Sequence, residues 1–323
     1  MLSEVLDHFG FARDFYGAGY YETPYHRQVL QGLHGAIHAG RLIAFTGLVG
    51  SGKTLLLRQL RDILVAEKRV TVSKSLAVDK ERSSLVTLIT ALFYDLSPDK
   101  EPKIPTQSEY RERALRELVH KSKKPVVLFV DEAHDLHFKT LRGLKRLCEV
   151  VADGGAVLSI VLAGHPKLRN ALLRPNMEEI GSRFAVFPFD GMAGHQADYI
   201  AWLLERCRAG NVEPATIIEP AAVDLLAARL RTPLQIEQYL TRAFEKTFEA
   251  GEKVVTATLA ETVLSPRIDD LEPRLTRYGY DVKSIAEEFH IKPADARLFL
   301  QGQLDLARSR ELTEQMLVAG LPV

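Results

Sequence analysis

The fold is decided by residues 42–54, which read LIAFTGLVGSGKT. The apolar run Leu42–Thr46 predicts a buried strand, and the leucine-rich run Leu55–Glu67 predicts a helix. Between them the glycines, lysine and threonine have the spacing of a phosphate-binding loop, in the strand–loop–helix context that this motif requires. The alternative, a glycine-rich turn that binds nothing, fits this context poorly.

The residues of this loop predict ATP and Mg²⁺ as cofactors. Glycines let backbone N–H groups turn toward phosphates, and the N-terminus of the following helix adds a partial positive charge. Lys53 is predicted to bridge the β and γ phosphates, and the Thr54 hydroxyl is predicted to bind Mg²⁺. The residues expected to contact the nucleotide are Gly47, Gly50, Ser51, Gly52, Lys53, Thr54 and Leu55.

Two acids, Asp131 and Glu132, directly follow the predicted buried strand Val126–Val130. They therefore emerge at the carboxyl end of a strand, which is the edge where nucleotide sites form in open α/β sheets. Asp131 is predicted to hold Mg²⁺, directly or through its water, and Glu132 to polarise the water that attacks the γ-phosphate. The alternative is a solvated pair of acids that caps the next helix.

Strands and helices alternate within residues 1–190, which are predicted to form an α/β nucleotide-binding subdomain with an N-terminal extension and a five-stranded parallel sheet covered by helices. The predicted strands are Leu42–Thr46, Val70–Ser75, Val126–Val130, Val157–Ala163 and Phe184–Phe187. The predicted helices between them are Leu55–Glu67, Leu85–Asp95, Tyr110–Ser122 and Leu141–Val151.

The strands stop at about residue 191, and helices follow. Residues 191–265 are predicted to form an all-helical lid, in which Thr232 and Gln235 make a capping box. Residues 266–323 are predicted to form a small helical C-terminal region with a pair of helices in the style of a helix-turn-helix. The predicted helices are His195–Cys207, Pro220–Leu230, Leu234–Ala250, Thr256–Leu264, Val282–Phe289 and Pro293–Gln301.

Composition and charge limit the classes of function. Lysine plus arginine equals aspartate plus glutamate at 42 each, so any contact with nucleic acid must come from a local patch. The two cysteines, Cys148 and Cys207, lie in apolar helical patterns, which indicates reduced thiols. An acidic N-terminus and the lack of an uncharged apolar run of about 18 residues predict neither a signal peptide nor a membrane span. We therefore expect a cytoplasmic protein with no membrane partner.

Several motifs occur in a fixed order along the chain. They are FGF at 9–11, Tyr25-His26, the phosphate loop, VVLFVDEAHDL, SIVLAGHPKL and EEIGSRF. Together they resemble the ExeA/TnsC-type AAA+ ATPases, and the resemblance covers about residues 9–250. Within this group the chain most resembles the TnsC/MuB-like ATPases of DNA transposition.

This resemblance implies an AAA+ fold and a slow, oligomerisation-dependent ATPase. It also implies assembly as a homo-oligomeric ring or helical filament on duplex DNA, without sequence preference, and a transposase as the partner that is recruited and activated. The alternative is an ExeA-like ATPase that drives assembly of a protein complex without binding DNA. The ExeA branch usually carries a transmembrane segment and a periplasmic domain, which we do not find in the sequence.

The resemblance also assigns roles to single residues. It implies that Tyr25 and His26 lie beside the adenine and that His165 is the sensor-one residue. Histidine departs from the commoner asparagine, glutamine or threonine there, and the alternative is a loop histidine without a phosphate contact. The usual Gly-x-Pro-Arg pattern of sensor two is replaced by Arg231-Thr232-Pro233-Leu234, so Arg231 either substitutes from the cap side or the contact is absent.

Arg183, just before the fifth predicted strand, is implied to be the arginine finger that reaches the ATP of a neighbouring subunit in trans. Such a residue stabilises transition-state charge only after assembly, so a monomer would hydrolyse ATP slowly. The alternative is a surface salt bridge to Glu178 or Glu179.

Two groups of basic residues are candidates for sequence-independent contacts with DNA phosphates, and either could equally be a solvated charged face. The candidates are Lys74, Lys80 and Arg82 after the second strand, and Lys139 and Arg142 on the helix after the acids, where Lys145 and Arg146 follow. The segment from Leu271 to Val323 contains seven basic and eight acidic residues, and this balance disfavours a DNA-binding module. We expect that region to dock a protein partner or to pack on the chain's own lid.

Overall fold

The structure is a computed structural model of the chain, and it describes residues 1–74, 84–99, 101–190, 192–210, 213–264 and 270–323. These residues form two compact units. We call the first the α/β unit; it comprises Gln28–Gly47, Lys53–Phe189 and Leu275–Val323. We call the second the helical unit; it comprises Met1–Arg27, Leu48–Gly52 and Asp190–Arg274.

Five parallel strands form the sheet of the α/β unit, as predicted. They are β1 (Leu42–Gly47), β2 (Thr71–Lys74), β3 (Val126–Val130), β4 (Leu158–Gly164) and β5 (Phe184–Phe189), in the order β2-β3-β4-β1-β5. Every residue of β1 and β4 is buried, as expected for strands covered on both faces. β5 runs two residues beyond its predicted end, because its pairing with β1 continues through Pro188 and Phe189. A proline is tolerated there because β5 is an edge strand.

The strand order explains how separate motifs come together. β4 lies between β1 and β3, with Thr46 paired to Gly164 and Val130 paired to Leu162. Because the strands are parallel, the residues that follow them meet at one edge of the sheet. The end of β1, the loop after β4 and the two acids after β3 therefore share this edge.

The helices agree with the predicted ones to within a few residues at most ends. In chain order they are α1 (Ser3–Phe9), α2 (Pro24–His38), α3 (Lys53–Glu67), α4 (Leu85–Leu96), α5 (Ser108–Lys121), α6 (Phe138–Asp153), α7 (Pro166–Leu172), α8 (Glu178–Gly181), α9 (Gln196–Cys207), α10 (Pro220–Arg229), α11 (Pro233–Glu249), α12 (Ala257–Val263), α13 (Leu271–Arg277), α14 (Val282–Glu288), α15 (Pro293–Leu300) and α16 (Leu306–Val318). Within the described ranges, none of them combines the length and apolarity needed to cross a membrane.

The N-terminal residues Met1–Arg27, which were predicted to include an extension of the α/β subdomain, belong to the helical unit. Phe9, Phe11 and Phe15 surround Phe244 of α11, with ring centroids 4.9, 5.1 and 5.8 Å from it. All four rings are buried. Burial of a phenylalanine contributes about 1.5–3 kcal/mol, so this aromatic cluster fixes the start of the chain on α11.

The C-terminal residues Leu275–Val323 belong to the α/β unit, where they pack on and beside α7. Asn170 of α7 donates hydrogen bonds of 3.2 Å to the Tyr280 hydroxyl and to the Gly320 carbonyl. Arg174, just after α7, forms an ion pair with Glu288 of α14. The region that was expected to dock a partner or to pack on the lid is thus bound to the helix that follows β4.

Candidate active site

Lys53 is the first residue of α3, and only 8% of it is exposed. Its Nζ donates a 2.9 Å hydrogen bond to the carbonyl of Gly47 at the end of β1. Burial lowers the pKa of Lys53 from 10.5 to about 8, although the nearby charges of Glu132 and Asp131 oppose the shift. A buried ammonium gains from further negative charge, and a nucleotide phosphate would supply it.

Thr54 and Asp131 fit the predicted magnesium site. The Thr54 hydroxyl lies 3.5 Å from an oxygen of the Asp131 carboxylate. Neighbouring ligands of an octahedral Mg²⁺, each at 2.0–2.1 Å from the ion, are about 2.9 Å apart, so a small shift suffices for both oxygens to bind one ion. Hydroxyl and carboxylate oxygens are also the ligand types that this ion prefers.

Glu132 has a left-handed backbone conformation, with φ 54° and ψ 31°, which is uncommon for a residue that carries a Cβ. Its N–H donates a 2.9 Å hydrogen bond to the Asp131 carboxylate. This sharp turn at the end of β3 fixes the two acids relative to each other. The Glu132 side chain is 39% exposed, so water can reach its carboxylate.

His134, which the sequence analysis did not single out, lies between Glu132 and His165. The rings of His134 and His165 stack with centroids 3.8 Å apart, and Nε2 of His134 is 3.8 Å from the Glu132 carboxylate. A nitrogen of each ring and an oxygen of Glu132 lie within 4.8 Å of one another. The predicted sensor-one residue is therefore close to the predicted hydrolytic carboxylate.

The electrostatics of His134 keep its ring neutral. Burial lowers the pKa of His134, although the carboxylates of Asp135 and Glu132 oppose the shift. His134 lies in a single turn of 3₁₀ helix, Ala133–Asp135, which directly follows Glu132. The only signal in the sequence was that this histidine follows Glu132 by two residues. No periodic pattern in this segment indicates where its side chain points.

The phosphate loop proper, Leu48–Gly52, belongs to the helical unit, where it contacts the start of α11. Gly50 has φ 75°, and its carbonyl accepts a 3.3 Å hydrogen bond from the N–H of Leu234. A Cβ at Gly50 would lie 2.6 Å from the Leu234 Cβ and 3.2 Å from the Thr232 hydroxyl. Only glycine therefore fits this position.

Other residues of the loop are consistent with a site for an anionic ligand. The side chain of Ser51 is buried, and its hydroxyl has no hydrogen-bond partner among the described residues. Gly52 has φ 94°, so its N–H direction differs from that of a helical residue. Leu55, in the first turn of α3, is 48% exposed.

The predicted capping box at the start of α11 is confirmed. Thr232 accepts a 3.3 Å hydrogen bond from the N–H of Gln235, whose side chain accepts from the N–H of Thr232 at 3.3 Å. The same side chain accepts from the N–H of Arg231, and the Arg231 side chain is exposed. Its role as sensor two stays a prediction.

His26 helps to cap α2. It is 2% exposed, its Nδ1 lies 3.4 Å from the N–H of Thr23, and its own N–H donates to the Thr23 hydroxyl at 3.2 Å. Tyr25 is half-buried, and burial raises the pKa of its hydroxyl, with the Asp190 carboxylate adding to the shift. Contact of either residue with adenine stays a prediction.

Arg183 is exposed and directly precedes β5. Among the described residues, no carboxylate lies within 4.0 Å of its guanidinium, so the alternative salt bridge to Glu178 or Glu179 does not form. Glu179 instead binds Lys145 at 2.6 Å.

The basic residues of α6 divide into two pairs. Lys145 and Arg146 contact acids, the former Glu179 and the latter Glu112 at 3.3 Å. Lys139 and Arg142 are exposed and form no ion pair with the described residues; Arg142 lies 6.0 Å from the centroid of the Phe138 ring. Of the other candidates for DNA contact, Lys74 is the last residue of β2, and Lys80 and Arg82 lie outside the described residues.

A family model and a known protein each match part of the chain. Residues 37–172 match a family model described as an AAA domain. General secretion pathway protein A of Aeromonas hydrophila is 30% identical over 212 residues, which cover 64% of this chain and 37% of that protein. The chain therefore spans little more than a third of the length of this relative.

Solved structures share the fold at low sequence identity. The ORC2 protein of Aeropyrum pernix, in ADPNP–ADP complexes, superposes with a TM-score of 0.53 at 13% identity and covers 96% of this chain and 91% of its own. Cdc6p of Pyrobaculum aerophilum gives 0.53 at 15%, with 96% and 89% covered. Drosophila ORC bound to DNA gives 0.52 at 13%, with 97% and 82% covered. The fold is thus that of the AAA+ P-loop NTPases.

Proposed function

We propose that this AAA+ ATPase assembles into a homo-oligomer when it binds ATP and Mg²⁺, that duplex DNA is the surface on which it assembles, and that hydrolysis releases it. One observation carries the proposal. Lys53, Thr54, Asp131 and Glu132 converge at one edge of the sheet, while the expected second cation, Arg183, is exposed and has no carboxylate partner among the described residues.

The chemistry follows from the residues at that edge. Lys53 would bind the β and γ phosphates, and Thr54 and Asp131 would hold a Mg²⁺ ion, whose chemistry is to neutralise phosphate charge. Glu132 orients and polarises the attacking water, and the rings of His134 and His165 lie beside its carboxylate. Charge that develops on the γ-phosphate needs a further cation, and in this proposal Arg183 of a neighbouring copy supplies it.

Several observations support duplex DNA as the partner. Lys139 and Arg142 are exposed on the N-terminal part of α6 without ion-pair partners in the described chain, so phosphates can reach them. Contacts of this kind are independent of sequence and sensitive to salt. One protein with the same fold, Drosophila ORC, is bound to DNA in its structure. The order of motifs over residues 9–250 further supports recruitment of a transposase as the biological task.

The alternative is an ATPase that drives assembly of a protein complex without DNA. Two observations favour it. The relative at 30% identity is a general secretion pathway protein. In addition, acids of the same unit form ion pairs with Lys145 and Arg146, so only Lys139 and Arg142 of the four basic residues named on α6 stay without an ion pair to the described residues. In this case the exposed surface of the C-terminal helices would bind the protein partner.

The experiment that separates these functions is a measurement of duplex-DNA binding across a salt series with ATP, ADP or a non-hydrolysable analogue, with particle size recorded in parallel. Under the proposal, only the triphosphate gives large, salt-sensitive assemblies, and Lys53→Ala abolishes them. The double variant Lys139→Ala/Arg142→Ala should keep ATP binding and lose DNA. The matched control, Arg113→Ala/Lys121→Ala, removes two exposed cations of α5 and should bind DNA normally. ATP hydrolysis without DNA binding in any nucleotide state would establish the protein-assembly function instead.

Glu132→Gln separates an ATPase from a scaffold that only senses nucleotide. Loss of the carboxylate should slow hydrolysis by about 10²–10⁴-fold and trap the ATP-bound assembly. If the variant dissociates from DNA as fast as the unaltered protein, hydrolysis does not drive release.

A further inference from the structure

Helices α2 and α3 end next to each other in the α/β unit, and their last turns bring together three side chains of the types that commonly bind metal ions. His38 is the last residue of α2, and Glu67 is the last residue of α3. His34 precedes His38 by four residues, so both imidazoles lie on one face of α2. Neither the ATP site nor the proposed DNA surface uses these residues.

The donor atoms of these side chains already converge. Nε2 of His34 lies 2.9 Å from one oxygen of Glu67, and Nε2 of His38 lies 3.3 Å from the other. One donor atom from each of the three residues lies within 4.8 Å of the others, and the two rings are 4.5 Å apart. Around a tetrahedral zinc ion, ligand atoms at 2.0–2.1 Å are about 3.3 Å from one another, so the arrangement needs little movement to hold an ion.

The surroundings also suit a cation. The C-terminal ends of two helices carry partial negative charge, and both end here. The three side chains are 30–32% exposed, which leaves an ion a path from solvent.

We propose that His34, His38 and Glu67 bind a divalent transition-metal ion of the zinc class, with water as a fourth ligand. Two imidazoles and one carboxylate suit Zn²⁺ and not Mg²⁺, which prefers oxygen ligands. The ion joins the end of α2 to the end of α3. Since α3 is 15 residues long, its last residue lies about 21 Å from Lys53 at its start, so this site is separate from the nucleotide site.

Without an ion the same atoms form hydrogen bonds between each imidazole and the carboxylate, so a direct binding experiment is decisive. The full chain is stripped with EDTA, kept free of nucleotide and titrated with ZnCl₂ by calorimetry. His34→Gln, His38→Gln and Glu67→Gln should each weaken Zn²⁺ binding at least about tenfold. His120→Gln, at an exposed position of α5, is the matched control and should bind as the unaltered protein does.

A second set of variants tests where the ion binds, since Glu132, His134 and His165 also place ligand atoms within 4.8 Å. His134→Gln should keep the binding that His34→Gln/His38→Gln loses. Zn²⁺, and not Mg²⁺, should also raise the melting temperature of the unaltered protein and leave that of the His34→Gln/His38→Gln variant unchanged. Equal zinc binding by all variants, or loss in His134→Gln alone, overturns the proposal. Circular dichroism confirms that each variant is folded.

Discussion

The N–H of Leu234 donates a 3.3 Å hydrogen bond to the carbonyl of Gly50, so the first turn of α11 holds the middle of the phosphate loop. The side chain of Leu234 also fills the space that a Cβ at Gly50 would need. The shape of the loop in the helical unit therefore depends on a helix that occurs far later in the chain.

Gly50→Ala should weaken ATP binding more than its backbone strain alone explains. Gly194→Ala is the matched control, because Gly194 has φ 80° and a Cβ there would meet nothing within 4 Å. Both variants should lose about 1–2 kcal/mol of unfolding free energy from the left-handed conformation. Only Gly50→Ala must also displace Leu234, so we expect its ATP affinity to fall at least about tenfold. Equal affinities in the two variants would contradict the role of this contact.

The buried ammonium of Lys53 should make the stability of the nucleotide-free protein depend on pH. The pKa of Lys53 is about 8 in the folded chain and 10.5 ordinarily, so between these values the unfolded chain binds more protons. Unfolding free energy should therefore gain a contribution that rises as pH increases from about 8 to 10.5. Chemical denaturation of the unaltered protein and of Lys53→Met across this range measures the difference. A contribution that falls with rising pH would show that folding raises the pKa of Lys53 and does not lower it.

Arg183→Ala should retain ATP binding and lose hydrolysis by about 10³-fold or more, because an arginine finger acts mainly on the transition state. If it acts in trans, mixing Arg183→Ala with Glu132→Gln should restore turnover. The first variant then supplies an intact Glu132, and the second supplies an intact Arg183. Arg113→Ala, at another exposed arginine, is the control for loss of surface charge. A mixture no more active than its components excludes action in trans.

The C-terminal region should influence hydrolysis through Gly279. A Cβ at Gly279 would lie 2.7 Å from both the Cβ and Nδ1 of His165, whereas Gly302, with φ 69°, has nothing within 4 Å. Gly279→Ala should therefore push His165 toward His134 and lower kcat about tenfold or more, with a smaller effect on KM. Gly302→Ala incurs similar backbone strain and should leave kcat unchanged. Steady-state ATP hydrolysis distinguishes the two, and equal rates would show that the C-terminal residues do not reach the site.

Local patterns predicted the fold well. Three features each depend on residues within about eight positions of one another: the phosphate loop, the strand that leads to Asp131 and the capping box at Thr232. The residues that determine them can therefore be recognised in a short stretch of sequence. The parallel sheet followed from the alternation of strands and helices.

Contacts between distant segments were not predictable in this way. Nothing local indicates that Phe9 packs on Phe244 or that Asn170 binds Tyr280, because only the tertiary fold brings these residues together. The ion pair between Lys145 of α6 and Glu179 of α8 was not predictable for the same reason. The position of His134 beside Glu132 likewise depends on a sharp turn that follows no periodic pattern.

That turn has a consequence for how the protein would respond to selection. A left-handed backbone costs a residue with a Cβ about 1–2 kcal/mol, and glycine would avoid this cost at Glu132. Heat resistance and catalysis therefore make opposite demands on this one position. A screen for thermostability alone would tend to recover Glu132→Gly, a more stable protein without the carboxylate that we propose polarises the attacking water, so any effort to stabilise this chain has to select for turnover at the same time.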